Sequence, residues 1–245
     1  MKIIGSFVSP YVRKVLAAMN LKGLSYEVDP ITPFFGNDEF RQLSPLCRIP
    51  VLIDGDFHVC DSSVICAYLD EAYGGYPLYP SNPKDRARAR WLEEFADTRL
   101  GDLFIWSLFY QKVVRPIVWD EPADEARIQK SIDEDIPTAL DYLEDVLPLY
   151  GYVFGEIGVA DFAIASFFRN GSYAGFETDP DRWPKTAAFV KRTLDHPAIA
   201  ALLPFEDVQR SVEIKRRREA LLDAGAPLTT ETWGIREARR GVMPL

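Results

Sequence analysis

The sequence predicts two successive structural regimes, an α/β domain ordered β-α-β then β-β-α and an all-helical domain after it. Three observations carry this reading. Strand-like and helix-like patterns alternate up to about Tyr73, and the Gly/Pro-rich stretch GGYPLYPSNP, beginning at Gly74, then interrupts the chain. Beyond Lys84 every periodic segment repeats at helical spacing. The expected boundaries are 1–76 for the first domain, 77–85 for the linker and 86–245 for the helical domain, with a C-terminal extension from about 205.

Lys2 to Phe7 reads as a strand, and Ser9-Pro10 opens a helix as an N-cap followed by proline at the first helical position. Val12, Val15, Leu16 and Met19 then recur on one face, and Gly23 lies where glycine stops a helix. A second strand at Ser25 to Val28 completes a βαβ unit with a right-handed crossover. Pro30 to Cys47 is a loop region with one helical patch at Asp38 to Leu43. Val51 to Ile53 is a strand, Asp54-Gly55-Asp56 a hairpin turn, and Phe57 to Val59 the returning strand. Asp61 and Ser62 are placed to cap a helix whose apolar face is Val64, Ile65, Tyr68, Leu69 and Ala72. The order is that of a thioredoxin-like domain.

In the second half, Trp91, Leu92, Phe95, Leu103 and Phe104 carry a long helix to about Arg115, where Pro116 is expected to end it. Ile128 to Leu147 forms a second helix kinked at Pro137, and a third starts near Gly158. Trp183 to Thr193 and Pro197 to Leu203 supply shorter ones. Val208, Val212, Ile214, Leu221 and Leu222 suggest one amphipathic helix with Lys215 to Arg218 facing solvent, stopped near Gly225. Thr229 to Leu245 is expected to pack over the functional site or the first domain.

With 28 Lys and Arg against 37 Asp and Glu, the formal charge is −9, which argues against nucleic acid or an anionic membrane as partner. The basic runs at 86–90 and 215–218 are read as solvated helix faces. No apolar run approaches the roughly 20 residues of a membrane span, and the chain begins directly with a strand pattern, so a cytoplasmic protein is expected. Cys47, Cys60 and Cys66 lack metal-ligand spacing and imply neither a disulfide framework nor a zinc site. Only His58 and His196 are available, which disfavours a histidine-based triad.

Pro50 at the entrance of a strand, followed after one hairpin by the acid-serine pair Asp61-Ser62, resembles the glutathione-binding half of the cytosolic glutathione transferase superfamily. In that family a cis-proline precedes the third strand and an acid-serine pair opens the third helix. The string SFVSPYVRKV resembles its bacterial and tau-like plant members, whose Ser-Pro-aromatic motif supplies a catalytic serine. GEIGVADFAIA resembles the capping box of the family's second domain, with Gly158 replacing the hydroxyl residue ahead of Asp161.

The resemblance implies glutathione as co-substrate, no metal, a homodimer, and attack of the glutathione thiolate on a small hydrophobic electrophile. The alternatives are a non-catalytic glutathione- or ligand-binding protein and a specialised glutathione-dependent lyase or dehalogenase. Ile49 would pair its backbone with the cysteinyl unit ahead of Pro50, Ser62 would receive the γ-glutamyl carboxylate, Asp61 would face the α-amino group, and Arg48 would reach the glycine carboxylate. Ser9 suits two roles, helix cap and thiol activator, because a hydroxyl donor at a helix N-terminus favours an ionised sulfur. Ser6 is the reserve. Tyr11, Phe34, Trp106, Phe109 and Tyr110 are the candidate electrophile pocket. Cys47 is read as structural, and Arg13, a cation opposing the helix dipole in the first turn, needs either solvent or an anionic partner and is read as a surface residue.

Overall fold

The computed structural model describes residues 1–240. The chain forms two compact units, one of Met1–Leu78 together with the chain from Pro197 onward, the other of Tyr79–His196. The sequence division had put everything after residue 85 in the helical domain; here the segment from Pro197 belongs to the α/β unit, because it pairs with that unit's sheet.

The first unit contains β1 (Lys2–Ile4), α1 (Pro10–Leu21), β2 (Glu27–Asp29), a 3₁₀ turn at Pro33–Phe35, α2 (Asp38–Leu43), β3 (Val51–Asp54), β4 (Phe57–Cys60) and α3 (Ser62–Ala72). The strands lie in the order β2-β1-β3-β4. β1 and β2 run parallel, and β3 and β4 are antiparallel to their neighbours. The second strand sits at Glu27–Asp29, beginning two residues later and ending one residue later than the pattern of Ser25 to Val28 suggested, because Lys2 to Ile4 pair with Glu27 to Asp29. α1 is buried on all sides, and Val12, Val15, Leu16 and Met19 are fully enclosed, each contributing roughly 1.5–3 kcal/mol by burial. Gly23 follows it with a left-handed φ of 67°.

The segment after Pro197 forms α9 (Pro197–Ala200), α10 (Leu203–Ser211), a 3₁₀ turn at Ile214–Arg216 and α11 (Arg217–Asp223). The single helix expected from Val208 to Leu222 is thus two, broken where Val212 is extended. Beyond Gly225, Val28 of the edge strand β2 donates to Pro227 O (2.7 Å) and accepts from Thr229 N (3.1 Å), so the tail extends the sheet in parallel. An edge strand left open is a template for aggregation, and this one is covered. Farther on, Trp233 O accepts from Asn37 N, Ile235 N donates to Phe35 O, and Arg239 N donates to Phe34 O. Residues 241–245 of the tail, part of the stretch assigned to packing from Thr229, lie outside the described residues.

Buried Asp29 anchors this arrangement. It accepts from Trp233 N at 2.7 Å, Thr232 Oγ1 at 2.9 Å and Arg218 Nη1 at 2.9 Å. Burial pushes its carboxyl up, and these donors work in the opposite direction. Arg218 therefore corrects the expectation that residues 215–218 all face solvent. Lys215 and Arg216 do make exposed pairs, with Glu213 and Glu219.

The second unit consists of α4 (Pro83–Phe95), a wider π-helical continuation at Ala96–Trp119, α5 (Glu125–Lys130), a π turn at Ser131–Asp135, α6 (Ile136–Val146), α7 (Val159–Tyr173) and α8 (Pro184–Leu194). Pro116 lies inside the last turn instead of ending the helix, which continues to Trp119 and closes with Asp120 in the left-handed region. The backbone stays helical without a break from Glu125 to Val146, through the π turn at Ser131–Asp135, so Pro137 lies inside the longer helix expected there, two residues after the point where the π segment ends. Asp161 accepts from Gly158 N (2.8 Å) and Val153 N (3.0 Å) and holds the start of α7 without a hydroxyl at 158. α8 has no cap of its own; Glu144 of α6 accepts from the N–H groups of Lys185 and Thr186, both at 2.9 Å. In the basic run, Arg86 and Arg90 lie over the ring of buried Tyr79, at 5.4 and 5.8 Å, and are not simply solvated.

Candidate active site

Ile4 faces Val51 across β1 and β3, and Val51 faces Cys60 across β3 and β4. The chain therefore leaves β1, enters β3 and leaves β4 at one end of the sheet. Those three junctions carry Gly5 to Ser9, Arg48 to Pro50, and Asp61-Ser62.

At the first junction Ser9 is the N-cap of α1, with extended backbone, and its Oγ accepts from Val12 N at 3.4 Å. That long bond uses a lone pair and leaves the hydroxyl proton available to a further acceptor. Ser6, the reserve candidate, is buried and committed, accepting from Val8 N at 3.2 Å and donating to Gln209 Oε1 at 3.2 Å. Gly5, which sequence reasoning passed over, has a φ of 155°, and a Cβ there would lie 2.4 Å from Val12 Cγ2 and 3.2 Å from Ile49 Cβ. Only glycine lets the first two junctions approach this closely.

At the second junction the Ile49-Pro50 peptide is cis. The backbone N–H and C=O of half-buried Ile49 enter no hydrogen bond among the described residues, which leaves both for a ligand. Ser44 fixes the approach: its buried hydroxyl donates to Arg48 O at 2.8 Å and accepts from Arg48 N at 2.9 Å. Ser44 too was missed, its only signal being the neighbouring Pro45. The Arg48 residue is exposed.

At the third junction Asp61 has a left-handed φ of 76° and caps α3 itself, its Oδ1 accepting from Ser63 N (2.9 Å) and Val64 N (3.2 Å). The sequence had allowed either Asp61 or Ser62 as the cap; the cap is Asp61. Ser62 is the first helical residue, 2% exposed, and its hydroxyl makes no hydrogen bond among the described residues. Lys14, fully buried on α1, donates to Ser63 Oγ at 3.0 Å and joins the first and third junctions.

The pocket candidates are all half-buried. In the first unit Tyr11 lies in the first turn of α1 and Phe34 in the 3₁₀ turn, whose backbone the tail binds. In the helical unit Trp106 and Tyr110 pair at 5.6 Å between ring centroids, while Phe109 sits against Tyr173 of α7 at 6.3 Å. Cys47 is buried in a cluster with Ile4, Phe40 and Val51, against which Ile49 and Trp233 pack. Burial pushes the Cys60 thiol up, and its Sγ lies 2.9 Å from Leu43 O. Neither is arranged as a nucleophile. Among the described residues no cluster of His, Cys, Asp and Glu is arranged to hold a metal, and no helix is long and apolar enough to cross a membrane.

Arg13 overturns the surface assignment. It is 0% exposed and forms a two-pronged pair with equally buried Glu206 of α10, Nε to Oε1 at 2.5 Å and Nη2 to Oε2 at 2.7 Å. The partner it needed is 193 positions away in sequence, out of reach of any local pattern.

Comparison with known proteins agrees with this architecture. A family model described as the N-terminal domain of glutathione S-transferase matches residues 3–77, and one described as the C-terminal domain matches residues 109–204. Glutathione S-transferase U18 of Arabidopsis thaliana is 26% identical, covering 88% of this chain and 94% of its own. Among solved structures, maleylacetoacetate isomerase of Methylobacterium extorquens, with bound malonate and glutathione, is 26% identical with a TM-score of 0.69, covering 84% of this chain and 97% of its own. A glutathione S-transferase of Sinorhizobium meliloti, 21% identical, reaches a TM-score of 0.77 over 89% of this chain and 98% of its own. The chain belongs to the cytosolic glutathione transferase superfamily, with a thioredoxin-like N-terminal domain and a helical C-terminal domain.

Proposed function

We propose that this protein is a glutathione transferase in which Ser9 activates the thiol. The observation that carries the reading is the backbone of Ile49, unpaired among the described residues, at the sheet end that also holds Ser9 and the start of α3. The cysteinyl unit of glutathione pairs with Ile49 as an added strand would, ahead of Pro50. The γ-glutamyl carboxylate takes the N–H groups and the hydroxyl at Ser62, where a helix start favours an anion. Asp61 faces the α-amino group, and Arg48 reaches the glycine carboxylate.

A free thiol with a pKa near 8.5 is only a few per cent ionised at pH 7. Ser9 donates its proton as a hydrogen bond to the sulfur, and the α1 N-terminus adds positive potential, so the thiol proton is released to solvent. The thiolate then forms a bond to an electrophilic carbon, whose leaving group departs with its electron pair. Tyr11, in the first turn of α1 just after Ser9, contributes to selecting that electrophile, and the protein works as a cytoplasmic homodimer. Calorimetric titration with glutathione, followed by turnover of an aryl halide, tests the reading. Absence of glutathione binding at millimolar concentration would refute it.

A second reading, glutathione-dependent isomerisation, is favoured by the 26% identity to maleylacetoacetate isomerase. It uses the same thiolate but returns the glutathione. A substrate panel that includes an unsaturated dicarboxylic acid separates the two, since only conjugation consumes free thiol.

A further inference from the structure

The turn Phe7-Val8-Ser9 sets where the Ser9 hydroxyl lies, and three residues cannot hold themselves in place. Two buried arms reach it from α10. In the first, Arg13 is held by Glu206 through two bonds at 2.5 and 2.7 Å, and its Nη2 also donates to Val8 O at 3.4 Å. In the second, Gln209 accepts from Ser6 Oγ at 3.2 Å while donating to Pro30 O at 3.3 Å, and the same Ser6 oxygen accepts from Val8 N at 3.2 Å. Glu206 and Gln209, three residues apart, share one face of α10, and the adjacent Phe205 ring lies 5.3 Å from that of Phe7. Arg13, Glu206, Ser6 and Gln209 are each at most 3% exposed. Both the C=O and the N–H of Val8 are thereby fixed by side chains that answer to α10.

We propose that Glu206 and Gln209 are positioning residues for the thiol-activating serine, acting through Arg13 and Ser6, so that this part of the C-terminal segment belongs to the active site without touching substrate. The inference rests on the transferase reading for its catalytic half. Activation depends on a hydroxyl within hydrogen-bond reach of the sulfur, and a displacement of about 1 Å is enough to cost on the order of 100-fold in rate. A role confined to packing would leave the thiol untouched in any variant that folds.

The test uses the full chain with three variants. Gln209→Leu removes one arm without changing charge. Arg13→Met with Glu206→Leu replaces the other by an apolar pair of similar volume, a change buried ion pairs commonly tolerate. Ser9→Ala is the control. Thermal melts establish folding, amide hydrogen exchange is read at Val8 and Val12, and ultraviolet titration gives the pKa of the bound glutathione thiol. The expected result is at least about tenfold faster exchange at both amides, with glutathione affinity within about threefold of the parent and a thiol pKa displaced about one unit toward its free value, a tenfold change in the ionisation equilibrium. Parent-like exchange and thiol pKa in folded variants, beside a shifted Ser9→Ala, would overturn the proposal and leave the transferase reading standing. If Ser9→Ala itself leaves the thiol unmoved, the transferase reading has failed, and exchange at Val8 and Val12 alone decides whether α10 holds the turn. Should either variant not fold, the other carries the same measurements.

Discussion

Replacing Ser9 by alanine separates the two roles the sequence assigns to it, because they differ in magnitude and in observable. As a cap, Ser9 contributes one bond to Val12 N, and at 3.4 Å that bond is weak. Ser→Ala at an N-cap costs about 0.5–2 kcal/mol, so the lower part of that range applies, a few degrees in melting temperature. As thiol activator, its hydroxyl makes a hydrogen bond to a charged group, worth about 1.5–3 kcal/mol, or about one to two units of pKa at 1.36 kcal/mol per unit. Glutathione binding survives, since Ile49 and the start of α3 are untouched. At neutral pH the thiolate fraction, and with it kcat, falls about 10- to 100-fold, and raising the pH recovers part of the loss. The decisive assay is ultraviolet titration of glutathione bound to parent and variant, beside calorimetric affinities. A variant with the parent's thiol pKa and a melting temperature a few degrees lower would mean that Ser9 is only a cap.

Three further outcomes are expected. Gly5→Ala puts a Cβ 2.4 Å from Val12 Cγ2 and 3.2 Å from Ile49 Cβ at a φ of 155°, which costs about 1–3 kcal/mol and moves Ile49; glutathione affinity should drop at least about tenfold, and an unchanged dissociation constant would refute the close-approach argument. Asp29→Ala leaves Arg218 and the Trp233 N–H without their buried acceptor, at about 3–5 kcal/mol, and should release the tail from β2 so that limited proteolysis between residues 229 and 239 accelerates; parent-like cleavage would show the sheet pairing to be sufficient alone. Burial pushes the Asp161 carboxyl up from 3.8 to about 6 against the N–H groups of Val153 and Gly158, so its contribution to stability is fully present below pH 3.8 and is lost, by about 3 kcal/mol, as pH rises through 6; carboxyl NMR titration yielding a pKa below 4 would reverse the sign.

What was legible in the sequence is what neighbouring residues decide. Ser9-Pro10, Asp54-Gly55-Asp56 and the face Ile65, Leu69 of α3 each specify an element within a dozen positions, and the resemblance around Pro50 and Asp61-Ser62 placed the junctions in order along the chain. The register Ile4 to Val51 to Cys60 then brings them to one end of the sheet, a consequence of β-α-β-β-α order that needs no long-range information. Misreadings followed where a local rule met a distant partner. Arg13 in a first turn opposes the helix dipole and belongs at the surface by that rule alone, yet Glu206 compensates it across 193 positions. Residues 215–218 look like a solvated face until Asp29 draws Arg218 inward.

The same contrast explains why the last forty residues were the least legible part of the chain. Their pairing to β2 is made by backbone groups of Val28, Pro227 and Thr229, which carry no side-chain signature. Their anchors, Thr232, Trp233 and Arg218, converge on one carboxylate that the sequence gives no reason to single out. A buried carboxylate is costly unless several donors answer it, so once Asp29 is seen to be enclosed, the donors have to come from somewhere. Within the α/β unit the chain after Pro197 provides them, and the same stretch sends Glu206 and Gln209 to the turn that carries Ser9. Tail docking and serine placement are therefore coupled through one segment. A truncation at residue 202 should disturb both Val28 pairing and the Ser9 turn, whereas one after residue 225 should free β2 and leave the Arg13 to Glu206 pair intact.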